Sequence, residues 1–155
     1  PEDTAVILRE KMAAAGPEFL LETMEAIEKN EYTLTLQDQQ AVTYAPKLTK
    51  ELGRIQWTKP AKEIHNLARG LLPWPSAYTF FKKKFLKILK TEVLSEKAGA
   101  VTASQIIEIT KQGFVVAAGR GNLLVKNVHY EAAKPMDAYA FAIGHGVGAG
   151  VRLGE

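Results

Sequence analysis

The sequence contains no cysteine. Disulfides and thiolate metal sites are excluded, and nothing points to an oxidising compartment. Its three histidines, His65, His129 and His145, lie far apart without paired ligand spacing, so no metal site is expected. No apolar run approaches the roughly 18 residues of a membrane-spanning helix, and no membrane partner is expected. There is no G-x-S-x-G elbow and no ordered Ser–His–Asp set. Glu22, Glu25 and Glu28 are spaced as a solvated helix face rather than as a catalytic acid pair. Residue chemistry alone yields no catalytic constellation, which points to binding and support. The opening "PEDTAVILRE" is acidic and is not a secretory signal; it reads as a chain already under way.

Two glycine-bearing stretches offer little to a nucleotide. "GRGNLL" lacks the third glycine of a dinucleotide loop and is flanked by strands, so a tight hairpin over Gly119–Gly121 is expected. "GHGVGAG", Gly144 to Gly150, could form an anion-binding nest, but its place near the end favours a flexible tail.

What the chain does have is segregated charge. Hydrophobic residues make up 46% and charged residues 24% of 155 residues, enough to build a core without staples. Residues 1–43 carry three basic and nine acidic side chains, residues 44–90 eleven basic and two acidic, and residues 91–155 six of each. The middle block, net +9, contrasts with a whole-chain charge of +3. Local positive charge favours a polyanion; a solvated lysine face is the alternative. Within the block, Lys82, Lys83, Lys84, Lys87 and Lys90 follow Trp74, Tyr78, Phe80 and Phe81. Lysines can neutralise phosphates, and aromatics can stack bases. Trp74, held between Pro73 and Pro75, is read instead as a core plug joining two elements.

The pattern predicts an α+β chain. Helices over 4–15 and 17–30, broken at Gly16-Pro17, are expected to form an antiparallel pair. The second would bury a stripe of Phe19, Leu20, Met24 and Ile27. Residues 31–58 read as an extended connector. A helix starts near Pro60, presents Ile64, Leu67, Ala68 and Leu71 on one face, and ends at Gly70 and Pro73. His65, on the border, reads as a packing residue. "SAYTFF", "GAVTAS", "QGFVVAAG" and "NLLVKNVHYE" suggest short antiparallel strands. "KKKFLKILKTEVL" fits a helix by period, but its neighbours favour a strand. Asp137 can cap a short final helix.

The stretch "TYAPKLTKELGRIQWTKPAKEIHNLARGLLPWPSAYT" closely resembles methionyl-tRNA formyltransferases where their catalytic and C-terminal domains join. The shared elements are Tyr44-Ala45-Pro46-Lys47, Arg54-Ile55, Trp57, Lys59-Pro60-Ala61, Glu63-Ile64-His65-Asn66-Leu67, Arg69, Pro73-Trp74-Pro75 and Ala77-Tyr78-Thr79. "KPMDAYAFAIGH" and the closing "RLG" resemble that family's C-terminal signature, and "DTAVILREKMAAAGPEFLLETMEAI" resembles the helices that close its catalytic domain.

The resemblance implies three parts: residues 1–43, the end of a catalytic domain; 44–58, a basic linker; and 59–155, an OB-like tRNA-binding domain. The implied fold is an antiparallel helix pair and connector, then an antiparallel β-barrel of OB-fold type with a leading helix and a short C-terminal helix. The parent enzyme would transfer a formyl group from 10-formyltetrahydrofolate to initiator methionyl-tRNA in the cytoplasm. The family's catalytic Asn, His and Asp belong to a preceding domain and have no match here, so this chain alone should be inactive and hold no cofactor. Expected partners are initiator methionyl-tRNA and the protein's own N-terminal catalytic domain, within a monomer. The candidate tRNA contacts are Lys47, Lys50, Arg54, Lys82, Lys83, Lys84, Lys87 and Lys90. Related folate-dependent hydrolases and sugar-nucleotide formyltransferases share part of the pattern, and a stand-alone nucleic-acid-binding module is a further reading. Two departures stand out: the tail lacks the family's polar, proline-bearing spacing, and Lys82-Lys83 replaces an Asn-Gly-like turn.

Overall fold

Thr4 accepts a hydrogen bond from the Ile7 backbone N–H and starts helix α1, Ala5–Glu28. In this computed structural model, which describes residues 2–97 and 101–154, α1 is a single helix that runs through Pro17. The expected helix pair is therefore not formed. An interior proline removes one helical hydrogen bond and costs about 3 kcal/mol. Its further penalty falls on the preceding residue's Cβ, and Gly16 has none. None of the residues of α1 is buried, so the expected apolar stripe of Phe19, Leu20, Met24 and Ile27 lies exposed.

From residue 50 onward the chain packs. A one-turn 3-10 helix, Glu51–Gly53, leads into Arg54, which bridges Tyr78 of the sheet. Gly53 is required there, because a Cβ would sit 2.3 Å from the Ser76 carbonyl oxygen. Ile55 and Trp57 enter the core, and Trp57 Nε1 donates to Thr79 Oγ1 at 3.1 Å. Helix α2, Ala61–Gly70, buries Ala61, Ile64, His65 and Ala68, close to the face read from its period.

The sheet is antiparallel throughout. Strands β1 (Ala77–Phe81), β2 (Lys84–Ser95), β3 (Ile106–Thr110), β4 (Gly113–Ala117) and β5 (Asn122–Tyr130) are ordered β1-β2-β5-β4-β3, and β6 (Met136–Asp137) pairs with β5. The ambiguous lysine-rich segment is thus a strand, β2. Leu86 and Ile88 point into the core, while Phe85 and Lys87 point outward. Register shifts after Ile88, Lys90 and Val93 bend β2 as it crosses from β1 to β5. Of "GAVTAS", Gly99 and Ala100 lie outside the described residues, and 101–104 form no strand; the neighbouring "IIEIT" does, as β3. β4 and β5 join through Gly119–Gly121 as expected.

Helix α3, Ala138–Gly144, packs Phe141 and Ala142 against the sheet. Asp137 precedes it but makes no side-chain cap; its carboxylate accepts from Asn127 Nδ2 at 3.2 Å. The glycine-rich segment that follows is not a loose tail. Val147 and Leu153 are buried, Ile106 and Val151 are hydrogen-bonded, and the Gly154 N–H donates to the Phe80 carbonyl. This segment therefore lies between edge strands β3 and β1 and joins the two sides of the sheet into a barrel-like body.

Candidate nucleic-acid interface

The β1–β2 connection has only two residues, Lys82 and Lys83. Both adopt positive φ, +49° and +63°, the geometry of a hairpin turn that matches strand twist. Asn-Gly is the usual occupant; here two lysines take the strain, and both are exposed. The Lys82 ammonium lies 5.1 Å from the Phe81 ring centroid and donates to the His145 carbonyl at 3.3 Å. Lys84, exposed, opens β2 opposite Phe81. Three exposed lysines thus share one tight corner.

Along β2, Lys87 stands opposite Tyr78 and belongs to the outward face with Phe85. Tyr78, Phe80 and Phe85 form a compact trio, with ring centroids 4.8 to 5.9 Å apart. Arg54 sits over Phe80 at 5.9 Å. Lys50, from the turn before Glu51, reaches the same side. Trp74 belongs here as well: it is 52% exposed rather than plugging the core. The buried tryptophan is Trp57, whose N–H has a partner; Pro73 and Pro75 hold Trp74 at the surface instead.

Lys90 lies elsewhere. At the bulge of β2 it borders a cavity of about 710 Å³ between α2, β2 and β5. Lys62, Arg69 and Lys126 border that cavity too, and none of the three was among the sequence-based candidates. The β2–β5 register, which only pairing reveals, brings Lys126 there. Acids offset the charge: Lys126 pairs with Glu92, and Lys62 with Glu96 at 3.7 Å. The Lys126 ammonium holds the Glu92 carboxyl below its usual range. His65 floors the cavity, sharing a 2.8 Å hydrogen bond with Thr91 through Nδ1. Burial first, and the Arg69 charge second, depress its pKa, opposed by Glu2 at 3.5 Å from Nε2. Arg69 donates to the Asp3 carbonyl and to Asn66 Oδ1, both at 2.7 Å, and so ties the start of α1 to α2.

The sequence-based candidates therefore divide. Lys50, Arg54 and Lys87 flank the aromatic face, Lys82 to Lys84 form the adjoining corner, Lys90 is separate, and Lys47 lies exposed in the segment before the 3-10 turn. None of these eight forms an ion pair among the described residues, whereas Lys59, Lys62 and Lys126 do. Unpaired cations around exposed aromatics make a surface suited to a polyanion that carries flat groups. Among the described residues no cluster of side chains could hold a metal ion, and no helix is long and apolar enough to cross a membrane.

The fold and this surface define an α+β domain with a barrel-like antiparallel sheet and a basic, aromatic face. The chain belongs to the formyl transferase C-terminal domain family, whose model matches residues 47–146, and it corresponds to the C-terminal portion of methionyl-tRNA formyltransferases. It is 39% identical to the methionyl-tRNA formyltransferase of Acetivibrio thermocellus, over 98% of this chain and 49% of the relative. With that of Magnetococcus marinus it shares 40% identity, over 96% of this chain and 46% of the relative. It spans about half the length of these curated relatives. Among solved structures, a HypX variant from Aquifex aeolicus matches 85% of this chain with a TM-score of 0.59 and 15% identity, a likeness of fold.

Proposed function

We propose that this chain is the tRNA-holding portion of an enzyme that formylates initiator methionyl-tRNA at the start of translation. The observation that carries this reading is the set of cations, Lys50, Arg54, Lys82, Lys83, Lys84 and Lys87, that form no ion pair among the described residues, in a chain whose relatives are methionyl-tRNA formyltransferases. Lysines that lack a protein carboxylate are available to displace counterions from RNA phosphates. They supply affinity and orientation and carry little sequence information.

The formyl group itself is the task of the rest of the parent enzyme, with 10-formyltetrahydrofolate as donor. The large cavity beside His65 does not suit a pteridine: such a ring needs a flat apolar slot with buried donors and acceptors along its edge, and this lining carries charged groups of both signs. In this reading the chain holds the acceptor, and the transfer step belongs to the rest of the enzyme. The exposed stripe of α1, with Phe19, Leu20, Met24 and Ile27, packs on the catalytic domain in the whole enzyme, a cytoplasmic monomer.

The test is tRNA binding by this chain as salt is raised. Affinity should fall steeply with salt, and Lys82→Glu/Lys83→Glu/Lys84→Glu should weaken it more than tenfold while flattening the salt slope. Binding indifferent to both would overturn the reading. Formylation of initiator methionyl-tRNA should require the catalytic domain as well; activity from this chain alone would refute the division of labour.

A further inference from the structure

Trp74 and Phe85 are 52% and 46% exposed in a chain whose other large aromatics, apart from Phe19, Tyr32, Tyr44 and Tyr139, are mostly covered. Both line a cleft of about 360 Å³ together with Lys50, Glu51, Pro75, Tyr78 and Lys87. Leaving two large rings half exposed forfeits part of the hydrophobic gain of burying them. Three features keep the rings in place. Phe85 packs against Tyr78 and Phe80 at 5.1 and 4.8 Å between centroids. Its backbone N–H is held by a Glu131 carboxylate oxygen at 3.0 Å. Pro73 and Pro75 bracket Trp74, and Ser76 Oγ donates to the Pro73 carbonyl at 2.9 Å, closing the turn. The cleft is thus lined by aromatic rings on a held backbone rather than by a loose apolar spot.

The charged lining indicates what the rings take. Lys50 and Lys87 have no ion-pair partner among the described residues, so the cleft pairs stacking surface with two free cations. An apolar helix or a carboxylate-poor peptide would leave both cations unused. A nucleotide uses the rings and both lysines, its base offering a π-face and its phosphates negative charge, and with Glu51 counted the cleft still keeps a net positive charge.

We infer that the cleft lined by Trp74 and Phe85 is a stacking slot for one unpaired base of RNA, with Lys50 and Lys87 on the flanking phosphates. This rests on the tRNA-binding reading above and adds a preference to it: the domain should distinguish single-stranded from duplex RNA, which lysines alone do not. Stacked bases are inaccessible within a helix, so only an unpaired nucleotide can enter.

The experiment measures binding of this chain to a short unstructured oligoribonucleotide and to a blunt RNA duplex of the same length, with Trp74 emission as a second readout, since Trp57 is buried. The wild type should favour the single strand, and stacking should quench Trp74. Trp74→Ala should lose about tenfold on the single strand only, with the salt slope unchanged, because base–aromatic stacking is worth about 1–3 kcal/mol. Trp74→Phe should restore most of it. Trp74→Ala that binds both RNAs as wild type overturns the slot. If Lys82→Glu/Lys83→Glu/Lys84→Glu still weakens tRNA binding in that case, the tRNA reading survives without it. Absence of RNA binding by the wild type overturns both. Trp74 shielded from iodide in the full-length enzyme without RNA also overturns the slot and assigns the cleft to docking within the enzyme.

Discussion

Gly154 donates its backbone N–H to the Phe80 carbonyl at 2.8 Å, while a residue earlier Leu153 N–H binds the Ser104 carbonyl at 3.0 Å. The C-terminal segment thus connects the β1 and β3 sides of the sheet, with Leu153 only 2% exposed. Leu153→Ala should destabilise the domain by about 2–4 kcal/mol, the usual range for emptying a buried leucine site. Urea denaturation checks this; a loss below 0.5 kcal/mol, the scatter of ordinary surface changes, would mean that the segment does not clamp the barrel.

Lys82 and Lys83 hold positive φ in a turn that prefers Asn-Gly. For an L-residue with a Cβ that conformation costs roughly 1–2 kcal/mol. Lys82→Asn/Lys83→Gly should therefore raise stability by about 1 kcal/mol and at the same time weaken tRNA binding. Opposite movement of melting temperature and affinity is the signature; a variant that gains on both counts would show that these lysines do not touch RNA. Strain retained at such a corner agrees with a surface position kept for contact rather than for folding.

Gly119 sits where the β4–β5 connection meets the segment that enters the core. Its N–H binds the Trp57 carbonyl at 2.8 Å, and a Cβ would lie 1.8 Å from the Thr58 carbonyl oxygen. Backbone on both sides leaves nothing free to move aside. Gly119→Ala should cost at least about 2–3 kcal/mol, at the upper end for overpacking, read as a shift in the urea midpoint. A neutral outcome would mean that residues 54–58 are not fixed against the sheet.

His65 should make stability depend on pH. Its pKa is lowered from 6.5, by burial first and by Arg69 second. The unfolded chain then binds a proton that the native state refuses. The contribution is complete above the unfolded value and is lost as pH falls below it towards the depressed native value. Melting temperature should drop as pH falls below the unfolded histidine value of about 6.5, and His65→Gln should flatten that drop. An unchanged pH slope in the variant would place the titration elsewhere.

The local elements were legible where chemistry is local. Helix α2 follows from Pro60, the Ile64–Leu67–Ala68–Leu71 period and Gly70, and the Gly119–Gly121 connection from its glycines. Pro17 misled because the rule that proline ends a helix depends on the residue before it, and glycine relaxes that rule. The glycine-rich end looked mobile because glycines give no burial signal, yet its backbone hydrogen bonds to β1 and β3 hold it in place.

For the surface, the sequence by itself determined that positive charge is concentrated in residues 44–90, since counting charges needs no coordinates. Tertiary structure alone decided which cations stand together and which are spent. The β1–β2 register aligns Lys87 with Tyr78 and Phe80 with Phe85, and the bulged β2–β5 pairing brings the Lys126 ammonium to the Glu92 carboxylate. It also decided between the two tryptophans. Trp57 found a hydrogen-bond partner in the core and Trp74 did not enter it, because burial depends on what the rest of the chain packs around a side chain, which neighbours in sequence do not specify.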